Sequence, residues 1–255
     1  MKLATEMLKP VLVFVILISI LGDNVIAETQ QPLITDSKSE IKPLTVNINK
    51  CRLNGYSIKF DVLHGSDKVG SASRTLVVNE GVTTLSTALE ASIAFFTFSQ
   101  REQSKLLAYP ELGFVSAHYL KTKKKPFHKK NTIVYSIKQK EQFSKNISEV
   151  VYDPLSVYEH LRELVCSGLK EDVSLMVQTE KEVEQYQFTY KELHKLNLSI
   201  GDVEAVLMVR TRNTSTRETS VWFDINNHYI PVKIQQEKGG ETQATIVATA
   251  LDLNQ

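Results

Sequence analysis

Apolar and polar residues alternate without a break over Tyr56-Ser-Ile-Lys-Phe-Asp-Val62. Tyr56, Ile58, Phe60 and Val62 fall on one face, and Ser57, Lys59 and Asp61 on the other. A period of two is that of a half-buried antiparallel strand. Similar short segments follow, from Lys68–Val78 to Thr242–Leu251. In Glu184–Tyr190, for example, Tyr186, Phe188 and Tyr190 alternate with Gln187 and Thr189. His64-Gly65-Ser66-Asp67, Asn79-Glu80-Gly81, Asn226-Asn227 and Gly239-Gly240 supply turns between segments. Ile93-Ala-Phe-Phe-Thr-Phe98 is apolar on both faces, which predicts a strand buried on both sides or bordering a cavity.

One stretch, Asp153-Pro-Leu-Ser-Val-Tyr-Glu-His-Leu-Arg-Glu-Leu-Val-Cys-Ser-Gly168, breaks the alternation. Leu155, Tyr158, Leu161, Leu164 and Val165 recur at helical spacing and make one apolar stripe. Asp153 suits the N-cap, Pro154 the first helical position, and Gly168 the end. The stretch therefore predicts a helix over 154–167. Glu159, Arg162 and Glu163 lie largely off the stripe, and Glu159 and His160 read as solvated surface.

A single amphipathic helix among many strands buries its stripe against a sheet. The pattern predicts a mainly β, single-domain fold over residues 48–255. It would be a curved antiparallel sheet of about ten or eleven strands, a half-barrel or open barrel, with the helix on its concave face. Residues 28–47 are polar and read as a flexible tether. Residues 1–27 read as a signal peptide: Lys2 and Lys9, then the apolar Val11–Leu21, then Val25-Ile26-Ala27 as a cleavage site. Eleven residues fall short of the about 20 that a membrane span needs.

Composition adds exclusions. Hydrophobic residues make up 42% of the 255, enough for a sizeable core. A net charge of +1 argues against a nucleic-acid binder that works through overall charge. No P-loop, dinucleotide fingerprint, Gly-x-Ser-x-Gly turn or Cys-x-x-Cys is present, and the six histidines are scattered. Nothing here calls for a cofactor, a metal or catalysis. Cys51 and Cys166 form a disulfide across 115 positions in one reading and are separate buried thiols in the other.

Lys121, Lys123, Lys124, Lys125, Lys129 and Lys130 form a local basic run around Phe127 and His128. It reads as a contact with anionic lipid head groups or an acidic partner, or as a solvated hairpin whose lysines discourage edge pairing. The aromatic residues read as core, or as the lining of an apolar pocket.

Asp153-Pro-Leu-Ser-Val-Tyr-Glu-His-Leu-Arg162, Trp222-Phe-Asp-Ile-Asn-Asn-His-Tyr-Ile-Pro-Val-Lys-Ile-Gln-Gln-Glu237 and Lys68-Val69-Gly70 resemble motifs of the exported bacterial family catalogued as domain of unknown function 3108. The resemblance runs from about Tyr56 to Leu251, with Ile230 where leucine is expected before the proline. It implies a periplasmic protein similar in fold to lipoprotein carriers, whose curved sheet folds around helices and an apolar cavity. On that basis Phe96, Phe98, Leu155, Tyr158, Leu161, Val165, Phe188 and Trp222 are the expected pocket walls. The expected function is non-catalytic binding of a lipid or lipidated peptide. The alternative is an envelope assembly or scaffold protein with a solid core that binds another protein.

Overall fold

The strand segments pair into one ladder. The computed structural model describes residues 51–79, 81–109, 112–137, 150–212 and 215–253; the signal peptide and tether read in residues 1–47 lie outside them. In chain order come β1 (Gly55–His64), β2 (Asp67–Asn79), β3 (Val82–Ile93), β4 (Phe96–Tyr109), β5 (Gly113–Lys124), β6 (Asn131–Ser136) and β7 (Val151–Tyr152). Helix α1 (Ser156–Cys166) follows, and then β8 (Val173–Gln178), β9 (Val183–Leu198), β10 (Gly201–Arg212), β11 (Ser215–Asp224), β12 (Ile230–Lys238) and β13 (Glu241–Leu253).

All thirteen strands belong to one sheet, ordered β6-β5-β4-β3-β2-β1-β13-β12-β11-β10-β9-β8-β7. Every pairing is antiparallel except the short parallel one of β7 with β8. Two meanders thus meet where β1 pairs with β13, with Tyr56 opposite Leu253. Register shifts at Lys59/Phe60, Val62/Leu63, Lys105/Leu106 and Trp222/Phe223 mark bulges, which bend strands and increase twist. The sheet curls until its edges face each other, and the Tyr135 hydroxyl on β6 donates to the Gln178 carbonyl on β8 at 2.7 Å. No ladder joins β6 to β7 among the described residues, so the barrel stays open.

Two features depart from the expected ten or eleven strands. β7 is only two residues long, too short for any periodic signal. The apolar run 93–98 is a hairpin corner, not one buried strand: Ile93 pairs with Phe96, Ala94 takes φ 54°, and Phe95 is 99% exposed. Gly70, from the Lys-Val-Gly motif, pairs with Ala91 of β3. A Cβ there would run into the backbone of Glu90 and Ala91.

The helix is shorter than the expected 154–167: it runs from Ser156 to Cys166 with Leu155 at its N-cap. Asp153 Oδ1 accepts the N–H groups of Leu155 (2.9 Å) and Ser156 (2.8 Å), which caps the turn leading into α1. At the other end Gly168 adopts φ 103°, with Leu169 N–H bonded to the Leu164 carbonyl and Gly168 N–H to that of Val165. These are the two bonds of a Schellman motif. The helix faces do not follow the sequence reading. Glu159, His160, Arg162 and Glu163 are all fully buried, so the expected solvated side of the helix does not exist. All of α1 from Ser156 to Val165 is buried except Tyr158, which is half-buried, and its charged residues meet partners on distant strands.

Candidate functional site

The interior of the curl is where the sequence placed a ligand, and it is where the polar side chains of α1 converge. Glu159 Oε1 accepts from Arg162 Nε at 2.5 Å. Its Oε2 accepts from the Tyr56 hydroxyl of β1 (2.7 Å) and from Arg74 Nη2 of β2 (3.1 Å), while Arg74 Nε donates to Tyr56 (2.8 Å). Arg162 then donates through Nη1 to the His228 carbonyl (3.0 Å) and through Nη2 to the Cys51 carbonyl (2.9 Å). The β11–β12 turn is shaped to offer that carbonyl. Asp224 Oδ1 accepts from Asn226 N–H and Oδ2 from the Asn227 amide, and His228 and Tyr229 both take positive φ.

Burial alone would raise the Glu159 pKa, but Arg162 and Arg74, with the Tyr56 and Arg162 hydrogen bonds, hold it below the ordinary glutamate value. Burial pushes the Tyr56 hydroxyl well up. Around the head of the helix, Asp153 also accepts from Ser104 Oγ of β4 (2.8 Å), and Ser116 of β5 bonds Ser156. Burial holds Asp153 above the ordinary aspartate range in spite of the hydrogen bonds from Ser156, Ser104, Leu155 and Ser116. Glu163 Oε2 accepts the Phe114 N–H of β5 at 3.1 Å, and His160 stacks on Tyr152 with ring centroids 4.5 Å apart.

This network positions the helix. It contains no exposed nucleophile and no acid–base pair open to a substrate. Among the described residues, no group of three His, Cys, Asp or Glu side chains is set to hold a metal ion.

The eight expected pocket residues are placed as follows. Phe98, Leu155 and Trp222 pack in one buried apolar cluster, with Phe96 half-buried at its margin. Leu161, Val165 and Phe188 pack in a second, with Tyr158 against it; Tyr158 and Phe188 meet edge to face at 5.9 Å. The Trp222 ring carries the Lys233 ammonium 4.4 Å from its centroid and His194 at 6.4 Å. The residues therefore belong to two packed clusters and do not share one lining.

Two hollows lie elsewhere, and neither is lined by any of the eight. One is water-sized, about 20 Å³, at the seam between β5–β6 and the β8–β9 turn. The other, about 570 Å³, is an open cleft bordered by Asp202, Asp224, Asp252, Asn226 and Asn227 among others. Ile200, Val203, Leu251 and Leu253 complete its lining, so it mixes apolar and acidic walls.

The six lysines divide. Lys121 and Lys123 face inward on β5 and are buried, a correction to the reading of six surface contacts. Lys121 Nζ lies 3.3 Å from Glu102 Oε1, and Glu102 also takes the Tyr119 hydroxyl. Burial lowers the Lys123 pKa, with Lys121 adding to the shift. Parity along β5 carried this signal, since both lysines share the inward face of Tyr119. Lys124, Lys129 and Lys130 are exposed and Lys125 half-buried.

Cys51 and Cys166 are bonded, with Cα atoms 5.8 Å apart. The bridge ties the segment before β1 to the end of α1, beside the Arg162–Cys51 hydrogen bond. Replacing both cysteines by serine should cost about 2–4 kcal/mol for a loop of this length. Chemical denaturation measures the loss. Two titratable thiols in unfolded, unreduced wild-type protein would end the idea.

The fold is thus an open, curled, barrel-like β-sheet around a buried helix. The chain belongs to the family described as "Protein of unknown function (DUF3108)", whose model matches residues 118–246. That span includes the helix motif and the Trp222–Glu237 motif but not Lys68-Val69-Gly70. No curated protein matches. Among solved structures, the chain is similar to a beta-barrel-like protein of domain of unknown function DUF1849 from Brucella abortus. The identity is 10%, covering 80% of this chain and 99% of that one, with a TM-score of 0.48. A lipoprotein candidate from Parabacteroides distasonis is similar at 9% identity, 78% and 95% coverage and a TM-score of 0.32.

Proposed function

We propose that this is an exported, non-catalytic envelope protein that works from its outer surface, as a scaffold that binds another envelope protein, with a solid interior. One observation carries the reading. The side chains expected to wall a cargo pocket pack in two apolar clusters instead, beside α1, which Glu159 and Arg162 hold to β1, β2 and the β11–β12 turn. Export is supported by the signal-peptide pattern of residues 1–27 and by the Cys51–Cys166 bridge, since such bonds persist in oxidising compartments.

Organic extraction of protein purified from the periplasmic fraction, followed by mass spectrometry, should return no lipid in stoichiometric amount. Photo-crosslinking groups at the exposed Val77 and Leu107 should give a discrete protein adduct in intact cells. A stoichiometric acyl species would restore the carrier reading and overturn this one.

A further inference from the structure

Two phenylalanines stand almost fully in solvent at one end of the molecule: Phe95 is 99% exposed and Phe127 is 92% exposed. They lie 32 positions apart in sequence, on corners that meet through Phe96. Phe95 occupies the two-residue turn between β3 and β4, and Phe127 the loop between β5 and β6. The Phe127 ring meets Phe96 edge to face at 5.6 Å. Strand pairing fixes the juxtaposition, because Ser99 of β4 lies opposite Lys124 of β5. Ala94 and Phe127 hold φ values of 54° and 57°, a region that non-glycine residues rarely enter. Hydrogen bonds from His128 N–H to the Lys125 carbonyl (3.2 Å) and between the His128 ring and the Pro126 carbonyl (2.7 Å) brace the second corner. Such backbone persists where the surroundings determine it, and it clusters at functional sites.

Around these tips lie Lys124, Lys125, Lys129 and Lys130. The nearby carboxylates are engaged: Glu90 lies 3.8 Å from Arg101, and Glu102 is inside with Lys121. Glu180 borders the seam by Lys123. We infer that this end, Phe95 and Phe127 ringed by Lys124, Lys125, Lys129 and Lys130, docks on an anionic phospholipid surface.

The inference deepens the surface-acting reading by naming what one end touches. Two protruding rings offer little of the roughly 800 Å² per partner that a stable protein interface buries. They do fit the interfacial layer of a bilayer, where aromatic rings sit at head-group level and lysines reach the phosphates.

Flotation with phosphatidylcholine vesicles, with and without phosphatidylglycerol, tests it. The wild type should float with the anionic vesicles only, and less at high salt. Lys129→Gln together with Lys130→Gln should lower partitioning about thirtyfold, from about fivefold per lysine. Phe95→Ser with Phe127→Ser should lower it about tenfold or more. Thermal midpoints should stay unchanged, because all four side chains are exposed.

Wild-type protein that ignores anionic vesicles, or binding indifferent to these substitutions, overturns the inference. So does retention on immobilised polyglutamate without any vesicle binding, which assigns the lysines to an acidic protein. In each of these cases lipid-free, crosslinkable protein would leave the scaffold reading standing.

Discussion

Glu159→Gln should destabilise the protein by about 3–5 kcal/mol, because it leaves two buried guanidinium groups without their counter-charge. Arg74 and Arg162 are both buried, and both bond Glu159. In a domain of this size the loss should lower the melting temperature by roughly 10–15 °C. The wild-type ion pairs need not add net stability over an apolar core, since desolvation offsets their attraction. Removing one member is what is costly.

The pH dependence follows from the sign of the shift. The Glu159 pKa is lower folded than unfolded, so its contribution is complete above the unfolded value of about 4.3. It is lost as pH falls through the folded value. The gap between wild-type and Glu159→Gln unfolding free energies should be full at neutral pH and narrow in acid. Asp153, shifted the other way, is common to both proteins and cancels in the difference. Urea titrations across pH measure it. A gap below about 1 kcal/mol at neutral pH, too small for a buried unpaired charge, would show that water reaches the network.

Leu161→Pro should abolish cooperative folding. Leu161 is completely buried in the middle of α1. Proline removes a helix hydrogen bond and clashes with the preceding turn, at about 3 kcal/mol or more. Losing the leucine side chain adds about 2–5 kcal/mol, the range for Leu→Ala. Together these approach the whole stability of a typical domain, about 5–15 kcal/mol. Leu161→Ala should remain folded with only the second loss. The expected Leu161→Pro protein gives a broad, non-cooperative melt and binds a hydrophobic dye. A sharp transition within a few degrees of wild type would mean that the sheet stands without its helix.

How much of this was legible in the sequence depends on the range over which each feature is encoded. Period-two alternation is local, so β1, β2 and β13 were readable to within a few residues. The turn into α1 and its end were equally local, in Asp153 and in Gly168. The environment of Glu159 was not. Its partners Tyr56 and Arg74 sit 103 and 85 positions away, so a charge on the off-stripe face looked solvated. The 93–98 corner escaped because its positive φ falls on Ala94, where no glycine or asparagine announces a turn. The expected pocket was an inference from a related fold, and side-chain packing, which fills such a space or leaves it open, has no short-range signature. Phe95 and Phe127 were invisible as a pair until the β4–β5 register brought their turns together.

The meeting of β1 with β13 dictates an order of events. The β1–β6 meander contains only neighbouring hairpins, and these can form as soon as their residues are free. The centre of the sheet cannot: β1 must wait for Glu241–Leu253, which follow every other strand of the sheet in the sequence. Helix α1 emerges before that strand but draws its counter-charges from β1 and β2 and its last carbonyl from the β11–β12 turn. Commitment to the native state therefore waits for β13. A chain stopped short of β13 keeps two half-sheets with exposed edges, which is the form a quality-control protease would recognise.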